Sequence, residues 1–152
     1  MHNYIAELIS KEIQKYTPQL FYDENPNGNL PSKAYASSIL ITVNDIFLLI
    51  NAGHTFQDVE LSNIGIMIEN EFCTIGGGLI KYEPNDQFYE PNKLDISVFR
   101  LDSETIETFK EKYKFLSYNK IQFNHFSVEQ SKYLVFGYPE KMTRKDFPTK
   151  NI

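Results

Sequence analysis

The sequence predicts a mainly β fold, a six-stranded antiparallel β-barrel with an N-terminal helix and one short helix before the last strand. From residue 35 onward, stretches rich in Ile, Leu and Val alternate with polar or glycine-containing turns, which is typical of strands. About six such stretches follow one another. Most are joined by short turns and one by a long excursion, as the closure of a small antiparallel barrel requires. The 152 residues provide for one ordinary domain with a real core.

Residues 1–32 are predicted to form a separate segment, a helix followed by a loop. Between residues 3 and 16, apolar side chains recur at helical spacing, and the other face carries Lys11, Gln14 and Lys15. Such an amphipathic helix either packs as a lid across one end of the barrel or docks onto a partner. Residues 17–33 contain three prolines and three asparagines, and this composition is typical of a loop.

Two hairpins are predicted next. Their strands are residues 36–43, 46–51, 64–69 and 72–82. Asn44-Asp45 is a two-residue turn signal in the first hairpin, and the second turns at Asn70-Glu71. The three glycines at 76–78 indicate a sharp bend or bulge at a barrel corner. A phosphate-binding loop is the alternative, but the Lys-Ser/Thr pair and helix start that it needs do not follow in the sequence.

The second half of the chain contains two further strands and the short helix. In order, we expect a loop at 83–92, a strand at 93–101, a helix at 103–114 with Ser103 as N-cap, and a last strand at 131–138. The barrel then occupies residues 33–140. Residues 141–152 form a polar tail.

The composition disfavours several classes of partner. The formal net charge of −5 argues against nucleic acid, because such surfaces need clustered Lys and Arg. No apolar stretch is long enough to span a bilayer, and Glu7 and Glu12 interrupt the apolar positions that a signal peptide would need. The single cysteine, Cys73, cannot form an internal disulfide, which favours a reducing cytoplasm. We therefore expect a cytoplasmic protein without a nucleic-acid or membrane partner.

His54 is the first candidate for chemistry. An apolar strand stops at Gly53-His54, which places an imidazole at a strand end, where catalytic groups are often mounted. Taken alone, the pattern also fits a capping or partly buried structural histidine. A second alternating strand opens with an acid, Asp95. Ser97 is expected on the same face as Asp95, because side chains two residues apart in a strand share a face.

These motifs resemble those of the trypsin-like serine peptidases, in particular the bacterial trypsin-like peptidase domains. The matching pieces are Ala52-Gly53-His54, the run from Asp95 to Leu101, and the run from Tyr133 to Pro139 with its Gly-x-Pro turn. The order of His before Asp is also the chymotrypsin-type order. The resemblance covers roughly residues 33–140 and implies the first of that family's two barrels. Residues 141–152 would then start the linker between the barrels.

The resemblance implies roles for two residues. His54 would be the general base toward a serine hydroxyl, and Asp95 would fix the tautomer of His54 and stabilise its imidazolium. Nothing in these 152 residues resembles the Gly-x-Ser-Gly-Gly segment that carries the nucleophile and the oxyanion donors. We therefore expect no acyl-transfer activity from this chain alone. The alternative for the two residues is a His-Asp hydrogen bond that only ties two strand ends together.

Other side chains are weaker candidates. Cys73 is the obvious substitute nucleophile, but it lies in a strand interior by pattern and is expected to be a buried structural thiol. His2 and His125 lack metal-ligand companions at useful spacing, so no metal site is expected. The sequence suggests no cofactor.

Three functions remain open from the sequence. In the first, the chain is the N-terminal half of a trypsin-like serine endopeptidase, which would act on a peptide or protein substrate if a second barrel completed it. Alternatively, the barrel is a non-catalytic interaction module that binds a protein partner or a second copy of itself through its aromatic surface. A small barrel of unrelated ancestry, such as an oligonucleotide-binding fold, is the third reading, and the acidic charge disfavours it.

Overall fold

A computed structural model describes residues 2–24, 33–56, 59–80 and 96–121. Within these ranges the fold is mainly β, as the sequence predicts. The helices and strands are, in chain order, α1 (His2–Gln14), β1 (Gln19–Tyr22), β2 (Lys33–Ser37), β3 (Ile39–Val43), β4 (Ile46–Asn51), β5 (Ile64–Ile68), β6 (Glu71–Thr74), β7 (Gly77–Ile80), β8 (Ser97–Leu101), α2 (Ser103–Lys110) and β9 (Leu116–Ser117). Short 3₁₀ turns occupy Gly53–Phe56, Leu61–Asn63 and Tyr118–Lys120.

The strands form two sheets. One has the order β2-β1-β5-β6, and the other has the order β7-β8-β4-β3-β9. Neighbouring strands are antiparallel except for β3 and β9, which are parallel. Neither sheet closes on itself within the described ranges. The strands confirm the mainly β class. The six-stranded barrel is not confirmed, because neither sheet closes in the described part of the chain.

Two bent strands join the sheets. Only Ser38 separates β2 from β3, and only Ile75 and Gly76 separate β6 from β7. Hydrogen bonding continues through the second bend but changes partner there. The backbone N–H of Ile75 donates to Ile64 O at 3.0 Å, on the side of β5, whereas Gly76 O accepts from the N–H of Asp102 at 3.1 Å, just beyond β8. Each bent strand therefore takes part in both sheets.

Both sheets contribute to one hydrophobic core. Its fully buried members come from the first sheet, the second sheet and helix α2, and the largest of them are Leu20, Leu40, Leu49, Ile64, Ile66 and Phe109. Phe56 and Phe99 join them with ring centroids 6.0 Å apart. Removal of such side chains from water is the main favourable term in folding.

The two predicted hairpins are present. Asn44 and Asp45 have φ angles of 46° and 63°, and such positive values at both central positions are typical of the tight turn that matches strand twist. The second turn lies one residue earlier than predicted. Glu69 and Asn70 occupy it, with φ of 52° and 98°, so that Ile68 pairs with Glu71. The predicted bend at the glycines is confirmed, because the strand is interrupted at residues 75–76 and Gly77 has φ of 132°.

Two sequence predictions are wrong. Residues 17–33 were expected to be loop, but β1 lies there and pairs with both β2 and β5. Burial of Leu20 and Phe21 outweighs the loop-forming composition around them. The short helix is capped by Asp102, whose side chain accepts from the N–H of Thr105, and not by Ser103, which is the first helical residue. The predicted strand 131–138 and tail 141–152 lie outside the described residues.

Helix α1 forms as predicted, and several of its apolar side chains face solvent. Tyr4, Leu8 and Ile9 are 66%, 49% and 45% exposed. Contacts with the rest of the fold lie just beyond its last turn, where Tyr16 O accepts from the N–H of Leu40 at 2.8 Å. The described helices are all too short or too polar to cross a bilayer.

The bend at the glycines yields a matched pair of variants. A Cβ on Gly77 would lie 2.0 Å from Arg100 O, and the positive φ of this residue strains any L side chain. A Cβ on Gly78 would meet nothing within 4 Å. We expect Gly77→Ala to lower the free energy of unfolding by about 2 kcal/mol or more, and Gly78→Ala to change it by less than about 1 kcal/mol. Urea denaturation measures both, and equal losses would contradict the close approach at Gly77.

The N-cap of α2 predicts a pH dependence. The hydrogen bonds from the backbone and side chain of Thr105 lower the pKa of Asp102. The carboxylate therefore contributes stability that is complete above the unfolded value of about 3.9 and is lost as the pH falls through the lower folded-state pKa. We expect Asp102→Ala to cost about 1 kcal/mol at neutral pH.

Asp102→Asn is the control for that prediction, because it keeps a capping oxygen but does not titrate. Its stability should fall less than that of wild type when urea denaturation is repeated between neutral pH and about pH 3. Parallel acid profiles for wild type and Asp102→Asn would show that the cap does not depend on the carboxylate charge.

Candidate functional site

His54 lies just after strand β4, where the chain leaves the sheet. After Asn51 the chain enters the 3₁₀ turn Gly53–Phe56, in which the N–H of Thr55 donates to Ala52 O at 3.1 Å. Thr55 and Phe56 are each 5% exposed and hold the turn to the core, whereas the side chain of His54 is exposed. The imidazole therefore sits at the surface on a backbone that its neighbours fix.

A cleft of about 320 Å³ opens beside His54. Its walls are Tyr35, Ala36, Ser37, Ala52, His54 and Thr55. The hydroxyl of Tyr35 donates to Thr55 O at 2.7 Å and so ties β2 to the turn that carries His54. Burial raises the pKa of Tyr35, and the nearby Tyr22 adds to this. Tyr35 therefore remains a protonated donor at neutral pH.

Strand β8 runs antiparallel beside β4. Asn51 pairs with Ser97 and Ile50 pairs with Val98, so the last residue of β4 lies opposite the first residue of β8. The end of one strand and the beginning of the other thus meet at one edge of the sheet. His54 follows that edge, and Asp95 precedes Ser97 by two positions in the sequence. Asp95 itself lies outside the described residues, so its predicted contact with His54 stays a prediction.

The paired residues at this edge are polar and buried. Asn51 is 8% exposed and Ser97 is 5% exposed. The Ser97 hydroxyl donates to Asn51 Oδ1, and it lies 3.4 Å from Ala52 O. The Nδ2 atom of Asn51 is buried and has no hydrogen-bond partner within the described part of the chain. The sequence analysis placed Ser97 in this region but did not identify its partner.

Sequence reasoning overlooked two side chains near His54, those of Tyr35 and Asn51. Tyr35 and Ser37 line the cleft. Asn51 accepts the hydrogen bond from Ser97 at the edge of the sheet, and this hydrogen-bonded pair is the Asn51–Ser97 rung. Asn51 carried a usable signal, because it is an amide at the end of an otherwise apolar strand. Tyr35 carried none, since its strand reaches His54 only through long-range folding.

Cys73 is poorly suited to nucleophilic chemistry. It lies in β6 and is partly buried against the core, so the expected structural thiol is less deeply buried than predicted. Burial raises its pKa, and the carboxylates of Glu71 and Glu111 raise it further. A raised pKa leaves little thiolate at neutral pH, and the thiolate is the reactive form.

Metal ligands do not cluster in the ranges that the structure describes, where no group of three or more His, Cys, Asp or Glu side chains is placed to hold an ion. Comparison with known proteins gives no match to any family model, curated protein or solved structure. The resemblance to trypsin-like peptidases therefore rests on the motifs in the sequence.

The raised pKa of Cys73 predicts slow alkylation. We expect iodoacetamide to modify the native protein at neutral pH several-fold more slowly than the same protein unfolded in urea, because unfolding restores an ordinary thiol. Mass spectrometry follows the single adduct, and Cys73→Ser supplies the background. Native alkylation as fast as in urea would show that the thiol is neither shielded nor held protonated.

Proposed function

We propose that this chain forms the first barrel, and half of the active site, of a trypsin-like serine endopeptidase. In this proposal His54 is the general base and Asp95 is the residue that orients it. No Gly-x-Ser-Gly-Gly segment is present in these 152 residues, so the chain is inactive by itself. Its substrate would be a peptide or protein, bound once a second barrel supplied the nucleophile.

The order of strand neighbours supports a barrel. If β2 and β3 count as one bent strand, and β6 and β7 as another, six strands result. The pairs are then β1 with β2-β3, β2-β3 with β4, β4 with β8, β8 with β6-β7, β6-β7 with β5, and β5 with β1. Apart from the two-residue β9, which pairs with β3, each of these six strands has two neighbours. The order returns to its start, which is what an antiparallel barrel requires. We infer that the two sheets are the two halves of one six-stranded barrel.

This barrel differs in one strand from the one that the sequence predicted. Six strands were counted with residues 131–138 as the last. In the inferred barrel, β1 from the N-terminal segment takes the sixth place and pairs with β2 and β5. Leu20 of β1 and Ile64 of β5 are both buried in the common core.

A single observation carries the functional proposal: β4 and β8 are antiparallel neighbours, and Asn51 pairs with Ser97. The two trypsin-like motifs therefore belong to adjacent strands, and the edge that delivers His54 is the edge at which β8 begins. Two unrelated motifs would share an edge only where their strands happened to be neighbours. His54 also borders an open cleft, as a base that must reach a substrate should.

The chemistry of such a half-site is limited. A histidine base accelerates acyl transfer by taking a proton from a positioned hydroxyl, and the oxyanion that develops needs fixed donors. His54 and Asp95 would supply the base and its orientation. The nucleophile and the oxyanion donors must come from elsewhere. The isolated chain therefore has a general base but no serine nucleophile for it to activate.

The second candidate is a non-catalytic module that binds a protein partner. The exposure of Tyr4, Leu8 and Ile9 on α1 favours it, because an amphipathic helix with an exposed apolar face commonly docks in a partner's groove. In this reading the His54 and Asp95 motifs are remnants that tie strand ends together. The two candidates differ in what His54 should do.

The tautomer of His54 tests the half-site. A carboxylate that accepts from Nδ1–H holds the neutral imidazole in one tautomer. In ¹⁵N-histidine NMR spectra at about pH 9, well above the ordinary histidine pKa of about 6.5, we expect His54 to show the Nδ1–H form. Asp95→Asn should convert it to a mixture, and Asp102→Asn, which alters a carboxylate at the other end of β8, should not. An unchanged His54 spectrum in Asp95→Asn would reject the proposal in favour of the binding module.

Reactivity tests the missing nucleophile. The purified chain should neither cleave casein nor react with a fluorophosphonate probe, because no activated serine is available. Labelling that survives His54→Ala would contradict the half-site. Labelling lost in Cys73→Ser would instead identify the thiol as the reactive group.

A further inference from the structure

The rung between Asn51 and Ser97 is unusual for its place in the fold. Both side chains are at least nine-tenths buried, on strands whose other buried positions are apolar, such as Leu49 and Phe99. The hydroxyl of Ser97 donates to Asn51 Oδ1. On the opposite side of the amide, Nδ2 is buried without a partner in the described ranges.

Stability does not account for this pair. A buried donor without a partner costs its full desolvation free energy, whereas apolar groups of the same shape cost nothing comparable. Leucine is close to asparagine in shape and would fill the same space at the end of β4. A buried polar pair that costs stability and lies beside a candidate site is more simply explained by a role at that site.

We infer that Asn51 and Ser97 are positioning residues for His54, an inference that rests on the proposed half-site. Their hydrogen bond closes the β4–β8 ladder at its last rung, three residues before the imidazole. The same hydroxyl lies 3.4 Å from Ala52 O, the carbonyl that also accepts from Thr55 N–H. Ser97 thus holds the strand end through its hydrogen bond to Asn51, and it lies beside the residue at which the turn that presents His54 begins.

A polar rung does what an apolar contact cannot. Hydrogen bonds are directional, so the Asn51 amide and the Ser97 hydroxyl set the rotation and the separation of the two strand ends as well as their proximity. An apolar pair would allow the ends of β4 and β8 to shift and rotate slightly against each other. Such displacements matter at a catalytic site, where reacting groups must be held within a fraction of an ångström.

The test removes both partners together. In the double variant Asn51→Leu/Ser97→Ala, no polar group is left unpaired at the rung. We expect its thermal midpoint to equal or exceed that of wild type, while His54 changes from the single Nδ1–H tautomer to a mixture in the ¹⁵N-histidine spectrum. Thr105→Val, which removes another buried hydroxyl at the opposite end of β8, should leave the His54 spectrum unchanged.

Single variants decide the case if the double variant does not fold. Ser97→Thr keeps the hydroxyl and should keep the Nδ1–H tautomer, whereas Ser97→Ala should lose it. The same His54 spectrum in both, or a wild-type spectrum in a folded double variant, would overturn the positioning role and leave the half-site standing. If the single variant Asp95→Asn leaves the His54 spectrum unchanged, the half-site itself is rejected. Failure of the half-site can thus be distinguished from failure of the positioning role.

Discussion

The antiparallel contact between β4 and β8 is the constraint on which the rest of this fold depends. β4 is the central strand of its sheet, with β3 on one side and β8 on the other. Leu49 and Phe99 face each other across the contact and are both buried in the core. Because the side-chain period in a strand is two, this register also decides which residues meet at the edge. A slip of one residue would separate Asn51 from Ser97 and turn the core side chains outward.

The bends extend that contact to the second sheet. At Gly76 and Gly77 the bent strand β6-β7 stops pairing with β5 and starts pairing with β8. A Cβ on Gly76 would collide with the carboxylate of Asp102, and a Cβ on Gly77 would collide with the backbone of Arg100. Gly65 permits a similar approach on the other sheet, where a Cβ would lie 2.4 Å from Cys73 O. Glycines thus occupy the points where strands come closest while they change partner. The two sheets can share one core because these bent strands, which belong to both, hold them together.

Local patterns predicted the local features of this structure. The Asn44-Asp45 turn, β4 and both helices could be predicted because each depends on neighbours in the sequence. β1 could not, because Leu20 and Phe21 are only two apolar residues within a Pro- and Asn-rich segment, and their strand exists through pairing with β2 and β5. The candidate site divides in the same way. The apolar run that stops at Gly53-His54 predicted an imidazole at a strand end. The pairing of Asn51 with Ser97, by contrast, joins residues far apart in the chain, which no local pattern contains.

The surroundings of His54 bear on whether it serves structure or chemistry. A histidine buried for structure would pack against the core, whereas the side chain of His54 is exposed. Here Thr55 and Phe56 are buried, and Tyr35 ties Thr55 O to β2 from across the cleft. The packing of the turn is thus carried by residues on the C-terminal side of His54, and on the other side Ser97 lies beside Ala52 O. In the proposed half-site, this turn holds the backbone of His54 in place and leaves its side chain exposed to a substrate.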